Sequence, residues 1–167
     1  MAESISVIGS TKEEKYQSLI PQIKNLIEGE PDTIANIANV MAALKFSMNF
    51  FWVGIYFVKN SNNSTAQELV LGPFQGPIAC TRIAYGKGVC GKAWESKSVI
   101  IVDDVDAFPG HIACSTLSKS EIVIPIKNKN NEITMVLDID SELLSNFDTT
   151  DKYYLNEIGK LIASLNS

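Results

Sequence analysis

Cys80, Cys90 and Cys114 are the three cysteines of the chain, and each stands in a different local setting. Cys80 sits in an apolar run, where a cysteine is often a small buried hydrophobe. Cys90 follows Gly86 and Gly88 at the start of a short helical pattern, and a helix N-terminus stabilises a thiolate. Cys114 lies in a small-residue loop with Lys119 and the only histidine, His111, and nearby positive charge lowers a thiol pKa. On the residues alone, Cys90 and Cys114 are equal candidates for a nucleophilic thiolate. No Cys-x-x-Cys pair is present, and no Cys/His grouping has zinc-ligand spacing.

The carboxylates offer a second kind of chemistry. Asp138 and Asp140 stand two apart in a β-type run, so both project from one face, roughly 7 Å from each other. Aspartate is depleted in strands, and the alternate residues Ile133, Met135, Leu137 and Ile139 are apolar. A solvated sheet face is the plain alternative. The functional reading is an acidic patch for a cation, joined by Glu121 from the paired strand, and an ammonium group suits it better than a metal. Trp52 and Tyr56 share one face of an earlier strand and can supply an aromatic wall. Gly86, Gly88 and Gly91 match G-x-G-x-x-G, but the helix after them spans about two turns and no βαβ unit opens the chain, so a dinucleotide site is rejected in favour of a tight turn.

These residues need a scaffold. Tyr16, Leu19, Ile20, Ile23, Leu26 and Ile27 recur at helical spacing, with Pro21 expected to kink or restart that helix. Asp32 is a fitting N-cap for a second helix with the stripe Ile34, Ile37, Ala38, Met41 and Leu44. Residues 51–58 read as a strand, 67–71 as its hairpin partner, and 78–84 as a further strand carrying Cys80. A short helix runs through Trp94, and 99–102 is a buried strand. Residues 103–120 are a long irregular segment, a length that usually means function. Residues 121–127 and 132–140 form a hairpin across 128–131. Asp148 caps a last helix with Tyr154, Leu155, Ile158, Leu161, Ile162 and Leu165 on its apolar face. The order predicts an α+β fold, an antiparallel sheet with helices on one face.

At 167 residues one domain is expected, residues 1–167. The formal net charge of −5 argues against nucleic acid or an anionic membrane as partner. Met1-Ala-Glu-Ser shows neither a basic nor an apolar leader region, and no apolar run approaches a membrane span, so the cytoplasm is the expected location. There, three cysteines are thiols with a chemical task, or core residues, rather than structural disulfides.

Several segments together resemble one family: WVGIY at 52–56, GPFQGP at 72–77, Ala79 with Cys80, GKGVCG at 86–91, FPGHIAC at 108–114, SEIVIP at 120–125 and VLDIDS at 136–141. They resemble the free methionine-(R)-sulfoxide reductases, which are single GAF-fold domains, and the likeness spans nearly the whole chain. Two departures stand out: Ser115 where many members carry an acidic residue, and the bulkier Thr134 and Met135. The resemblance implies a central antiparallel sheet with the N- and C-terminal helices on one face and a ligand pocket on the other, and a homodimer built through those helices. It implies reduction of free methionine-(R)-sulfoxide by a thiolate, through a sulfenic acid and a disulfide that thioredoxin recycles, with no metal or organic cofactor. It makes Cys114 the nucleophile and Cys80 the resolving thiol, with Cys90 the alternative for either. Glu121, Asp138 and Asp140 would hold the substrate ammonium, one of them also assisting protonation of the sulfoxide oxygen. Trp52 and Tyr56 would hold the S-methyl group, and backbone amides of 114–120 the carboxylate. The rival from another class is a non-catalytic GAF sensor of a small ligand, which has no need of three cysteines near one pocket. A general thiol peroxidase has no use for the acidic trio.

Overall fold

The chain folds, in a computed structural model that describes residues 4–61, 66–112 and 115–165, as an α+β unit. Helix α1, Lys12–Ile27, opens on a capping box: the Thr11 side chain accepts the Glu14 N–H, and the Glu14 carboxylate accepts the Thr11 N–H. Pro21 neither ends nor restarts it. The carbonyl that Pro21 leaves unbonded, that of Gln17, lies on an exposed face with it, so water can take the missing bond's place. Helix α2, Thr33–Met48, starts as expected on Asp32, which accepts the Ala35 N–H.

The described residues form a six-stranded antiparallel sheet in the order β3-β2-β1-β6-β5-β4. The strands are β1 Trp52–Asn60, β2 Gln67–Gln75, β3 Arg82–Ala84, β4 Ile100–Val102, β5 Ser120–Lys127 and β6 Ile133–Ser141. A short helix α3, Gly88–Ser96, separates β3 from β4, and α4, Thr149–Ser164, ends the order. The expected strand over 78–84 shrinks to β3. Residues 76–81 are irregular instead, with Ile78 89% exposed and Cys80 half-buried, so the run that looked apolar is not a core strand. The hairpin partner of β1 is correspondingly longer than expected and reaches Gln75.

Helices α1, α2 and α4 cover one face of the sheet. Val53 and Ile55 of β1, Ile122, Ile124 and Ile126 of β5, and Met135, Leu137 and Ile139 of β6 bury there against Leu19, Ile23, Ile37, Met41, Leu155 and Ile158. Helix α3 covers part of the opposite face, where Trp52, Tyr56, Val123 and Val136 meet Val89, Cys90, Ala93 and Trp94. Ile133 joins this second cluster rather than the first, because the β5–β6 ladder skips a residue: Ile126 pairs with Met135, but Lys127 pairs with Ile133. Helix α3 sits close because of its glycines. A Cβ on Gly91 would lie 2.7 Å from the Ala84 carbonyl oxygen, and Gly88 adopts φ +59° at the turn into the helix. The glycine motif is thus the tight turn expected of it. No helix among the described residues is long and apolar enough to cross a membrane.

The helical layer is pinned at one buried charge. Asp151 is fully buried, caps its own helix by accepting the Asp148 N–H, and accepts the Tyr16 hydroxyl at 2.8 Å and the Lys12 ammonium. Removing one side of such an arrangement strands the other side without water. Asp151→Ala is therefore expected to cost about 3 kcal/mol or more, read as a lower urea midpoint at unchanged m-value. An unchanged midpoint would show that the α1–α4 contact is held by apolar packing alone.

Candidate active site

The register of the three central strands builds the floor of a pocket. Trp52 on β1 lies opposite Asp140 on β6, which lies opposite Glu121 on β5. One step along, Gly54, Asp138 and Val123 form the next row. All these side chains point away from the helical layer, because Val53, Ile139 and Ile122 between them point into it. Helix α3 closes one side through Gly88, Val89 and Cys90, the segment 77–79 closes another, and His111, Ile112, Ser115 and Ser118 line the rim.

The solvated-face reading of the aspartates fails here. Asp138 is 7% and Glu121 6% exposed, and Asp140 is half-buried. Among the described residues none of the three has an ion-pair partner, and Asp138 Oδ1 is buried without a hydrogen bond. The cost appears in their acidities. Burial, followed by the charge of its two neighbours, pushes the Glu121 carboxyl well above its usual range. Burial pushes Asp138 up to about 6, opposed by hydrogen bonds from Cys90, Glu121 and the Ile139 amide. Asp140 rises for the same first reason and then through Asp138, while a hydrogen bond with Ser118 opposes the rise. All three shifts share one physical cause, carboxyls clustered away from water with no counter-charge among the described residues.

Trp52 and Tyr56 do more than the wall expected of them. The Trp52 indole N–H donates to the Pro77 carbonyl at 3.0 Å, and the Tyr56 hydroxyl donates to the Cys80 carbonyl at 3.0 Å. The two aromatics therefore fasten the irregular segment that carries Cys80 to the central sheet. Trp52 is set in turn by Phe74, stacked at 5.5 Å, and by two glycines, since a Cβ on Gly54 or Gly76 would lie 2.1 or 2.5 Å from its ring. No sequence pattern signalled these bonds, which join residues 24 and 25 positions apart.

The cysteines divide. Cys80 is disulfide-bonded. Cys90 is a free thiol, 3% exposed, with Sγ 3.9 Å from Glu121 Oε1. Burial, then Asp138 and Glu121, raise its pKa well above the ordinary thiol value. The thiolate expected from the start of α3 is thus overturned: carboxylates at contact distance and loss of water outweigh a helix dipole worth about 1 kcal/mol. Cys114 lies outside the described residues. His111, expected beside it as a positive neighbour, has its pKa lowered by burial, with Asp106 opposing, and so stays neutral at pH 7. Ser118, unremarked in the sequence, is buried at the rim and bonds to Asp140.

The sequence profile of the GAF domain matches residues 30–165. A Dictyostelium discoideum protein named GAF domain-containing protein A is 56% identical over 162 residues, 97% of this chain and 99% of its own length. The free methionine-R-sulfoxide reductase of Saccharomyces cerevisiae is 38% identical over 156 residues, 90% of this chain and 85% of its own. The X-ray structure of the free methionine-R-sulfoxide reductase from Neisseria meningitidis in complex with its substrate matches the fold with a TM-score of 0.92. It is 46% identical, and the match covers 99% of this chain and 95% of that one.

Proposed function

We propose that this chain, which belongs to the GAF-domain family and within it to the free methionine-R-sulfoxide reductases, reduces free L-methionine-(R)-sulfoxide to methionine. It is an oxidoreductase, and the observation that carries this substrate is the trio of buried Glu121 and Asp138 and half-buried Asp140, which has no counter-charge among the described residues and lies under an aromatic wall. The substrate's α-ammonium supplies the missing charge, Trp52 and Tyr56 face its S-methyl group, and backbone amides at the 115–118 rim meet its carboxylate.

In the reaction, the Cys114 thiolate attacks the sulfoxide sulfur. The sulfur–oxygen bond breaks as the oxygen is protonated, methionine leaves, and the oxygen ends on the cysteine as a sulfenic acid. A carboxyl with a raised pKa keeps its proton to higher pH and so is better placed to deliver one; burial shifts Glu121 and Asp140 in that direction. A second thiol condenses with the sulfenic acid, releasing water and leaving a disulfide, which a dithiol such as thioredoxin reduces by exchange. Cys80 is the resolving thiol in this reading, supported by its disulfide-bonded state and by Cys90 being free. Cys90, buried and protonated, fits poorly as the attacking thiolate. The reaction needs no metal or organic cofactor. The chain works as one GAF-like domain, residues 1–167, in the cytoplasm. It pairs as a homodimer through the helical layer, where Phe46 stays 79% exposed beside a hollow lined by Ile5, Val7 and Leu26.

The test is a single-turnover reaction with free methionine-(R)-sulfoxide and no external reductant, with methionine quantified by chromatography. Wild type with its thiols reduced first is expected to release about one equivalent, Cys114→Ser none, and Cys80→Ser about one equivalent with a sulfenic acid that a dimedone reagent traps. A burst from Cys114→Ser that Cys90→Ser lacks would move the nucleophile to Cys90. Binding of the sulfoxide without release of methionine by any form would make the domain a sensor instead.

A further inference from the structure

The pocket wall holds an arrangement tighter than an ammonium requires. Cys90 Sγ, one carboxylate oxygen of Glu121 and one of Asp138 all lie within 4.8 Å of one another, and all three side chains are buried. The second mark of a ligand site is independent of that clustering: Asp138 lines the pocket, and its Oδ1 is buried without a hydrogen-bond partner. The three positions come from three elements, α3, β5 and β6, so their spacing in the chain, 90, 121 and 138, gives no motif. Gly91, next to Cys90, lets α3 sit against the Ala84 carbonyl and the Gly86 turn.

Zinc-type ions bind sulfur at about 2.3 Å and carboxylate oxygen at about 2.0–2.2 Å in a tetrahedron, which sets ligand atoms roughly 3.5 Å apart. The existing 3.9 Å between Cys90 Sγ and Glu121 Oε1 is already close to that separation. One sulfur with two carboxylates suits a borderline or soft divalent ion. Calcium and magnesium prefer sites built of oxygen alone. The pocket side stays open for a fourth ligand, a water or Asp140.

We propose that Cys90, Glu121 and Asp138 form a binding site for a thiophilic divalent cation of the zinc class, and that this cation and the substrate's ammonium exclude each other. As the sulfur–metal bond forms, the Cys90 thiol proton passes to solvent, and no electron is transferred. The metal site rests on the cluster itself, and only the mutual exclusion rests on the reductase reading.

The experiment uses the full chain kept without reductant, in which Cys80 is disulfide-bonded and Cys90 is free. Cadmium is titrated in and the thiolate-to-cadmium charge-transfer absorption is followed, with zinc measured by calorimetry. One equivalent per chain is expected, with a charge-transfer band that reaches a plateau. Asp138→Asn keeps the band but weakens cadmium binding by at least about tenfold, and Cys90→Ser loses the band. Should Cys90→Ser not fold, cadmium must still slow alkylation of Cys90 in the wild type. No saturable band, a full band in Cys90→Ser, or alkylation indifferent to cadmium overturns the site. Excess L-methionine is expected to weaken cadmium binding competitively. Cadmium binding indifferent to methionine keeps the metal site and overturns the exclusion, whatever the turnover assay gives.

Discussion

N-acetyl-methionine sulfoxide is expected to be reduced with a kcat/KM at least about 100-fold below that of the free amino acid. The acidic trio has no counter-charge among the described residues and one buried oxygen has no partner. A ligand with an ammonium group satisfies both lacks. A ligand with a neutral amide brings no charge and adds bulk where Glu121, Asp138 and Asp140 converge. Leaving a buried charge without its partner costs about 3–5 kcal/mol, and about 1.4 kcal/mol is tenfold in rate. The same argument excludes sulfoxide within a peptide chain, where the nitrogen is already an amide. Initial rates on the two substrates side by side decide the matter, and comparable efficiency would remove the trio from ammonium recognition.

The second large effect is a trade between stability and activity at Asp138. Its acidity moves from the ordinary 3.8 to about 6 in the folded chain, chiefly through burial. For a carboxyl whose folded pKa is raised, the folded state holds the proton more tightly than the unfolded chain does. Its contribution is therefore neutral below the unfolded value, and stability falls as pH rises through roughly 4 to 6 and stays lowered above that. At 1.36 kcal/mol per pKa unit the loss is on the order of 3 kcal/mol. Asp138→Asn removes that charge, relieves Glu121 and Asp140, and keeps a side chain of the same shape. The substrate-free variant is expected to melt about 5 °C or more above wild type at pH 7.5, with the gap closing towards pH 4.5. Its kcat/KM is expected to fall at least about 100-fold. Thermal melts at the two pH values, with turnover at the higher, test both halves. A variant less stable than wild type at pH 7.5 would mean that the hydrogen bonds Asp138 makes with Cys90, Glu121 and the Ile139 amide outweigh the cost of burying its charge.

Local pattern carried much of this site. Alternation in β1 and β6 put Trp52 with Tyr56 and Asp138 with Asp140 on their proper faces, and hairpin pairing added Glu121. The capping residues Asp32 and Asp148 began their helices as read. What local pattern could not supply was environment. Whether two aspartates on one face meet water depends on what lies over them, and the cover comes from α3 and from His111, Ile112, Ser115 and Ser118. Cys90 misled for the same reason: its helix position is local and favours a thiolate, whereas Glu121 and Asp138, 31 and 48 residues later, reverse the sign. Pro21 does not restart its helix, because the cost of a missing hydrogen bond depends on whether the residue that bears the freed carbonyl is exposed, as Gln17 is. The strand expected at 78–84 shortened to Arg82–Ala84 because Ile78, which looked like core, stands in solvent, while the segment before it is held by bonds from Trp52 and Tyr56.

The alternation along β6 also limits how such a pocket can change over generations. Leu137 and Ile139 serve the core under the helices, and Asp138 and Asp140 serve the ligand, along one continuous stretch of backbone. Gain or loss of a single codon there would hand each role to the wrong residues at once, burying aspartates among aliphatic side chains and turning leucine towards the ligand. A replaced residue in the strand therefore disturbs one role at a time, whereas a change of length disturbs both unless a bulge absorbs it. New ligand preferences must be written by substitution there, or by length changes in the irregular segments around the rim, which carry no such double duty.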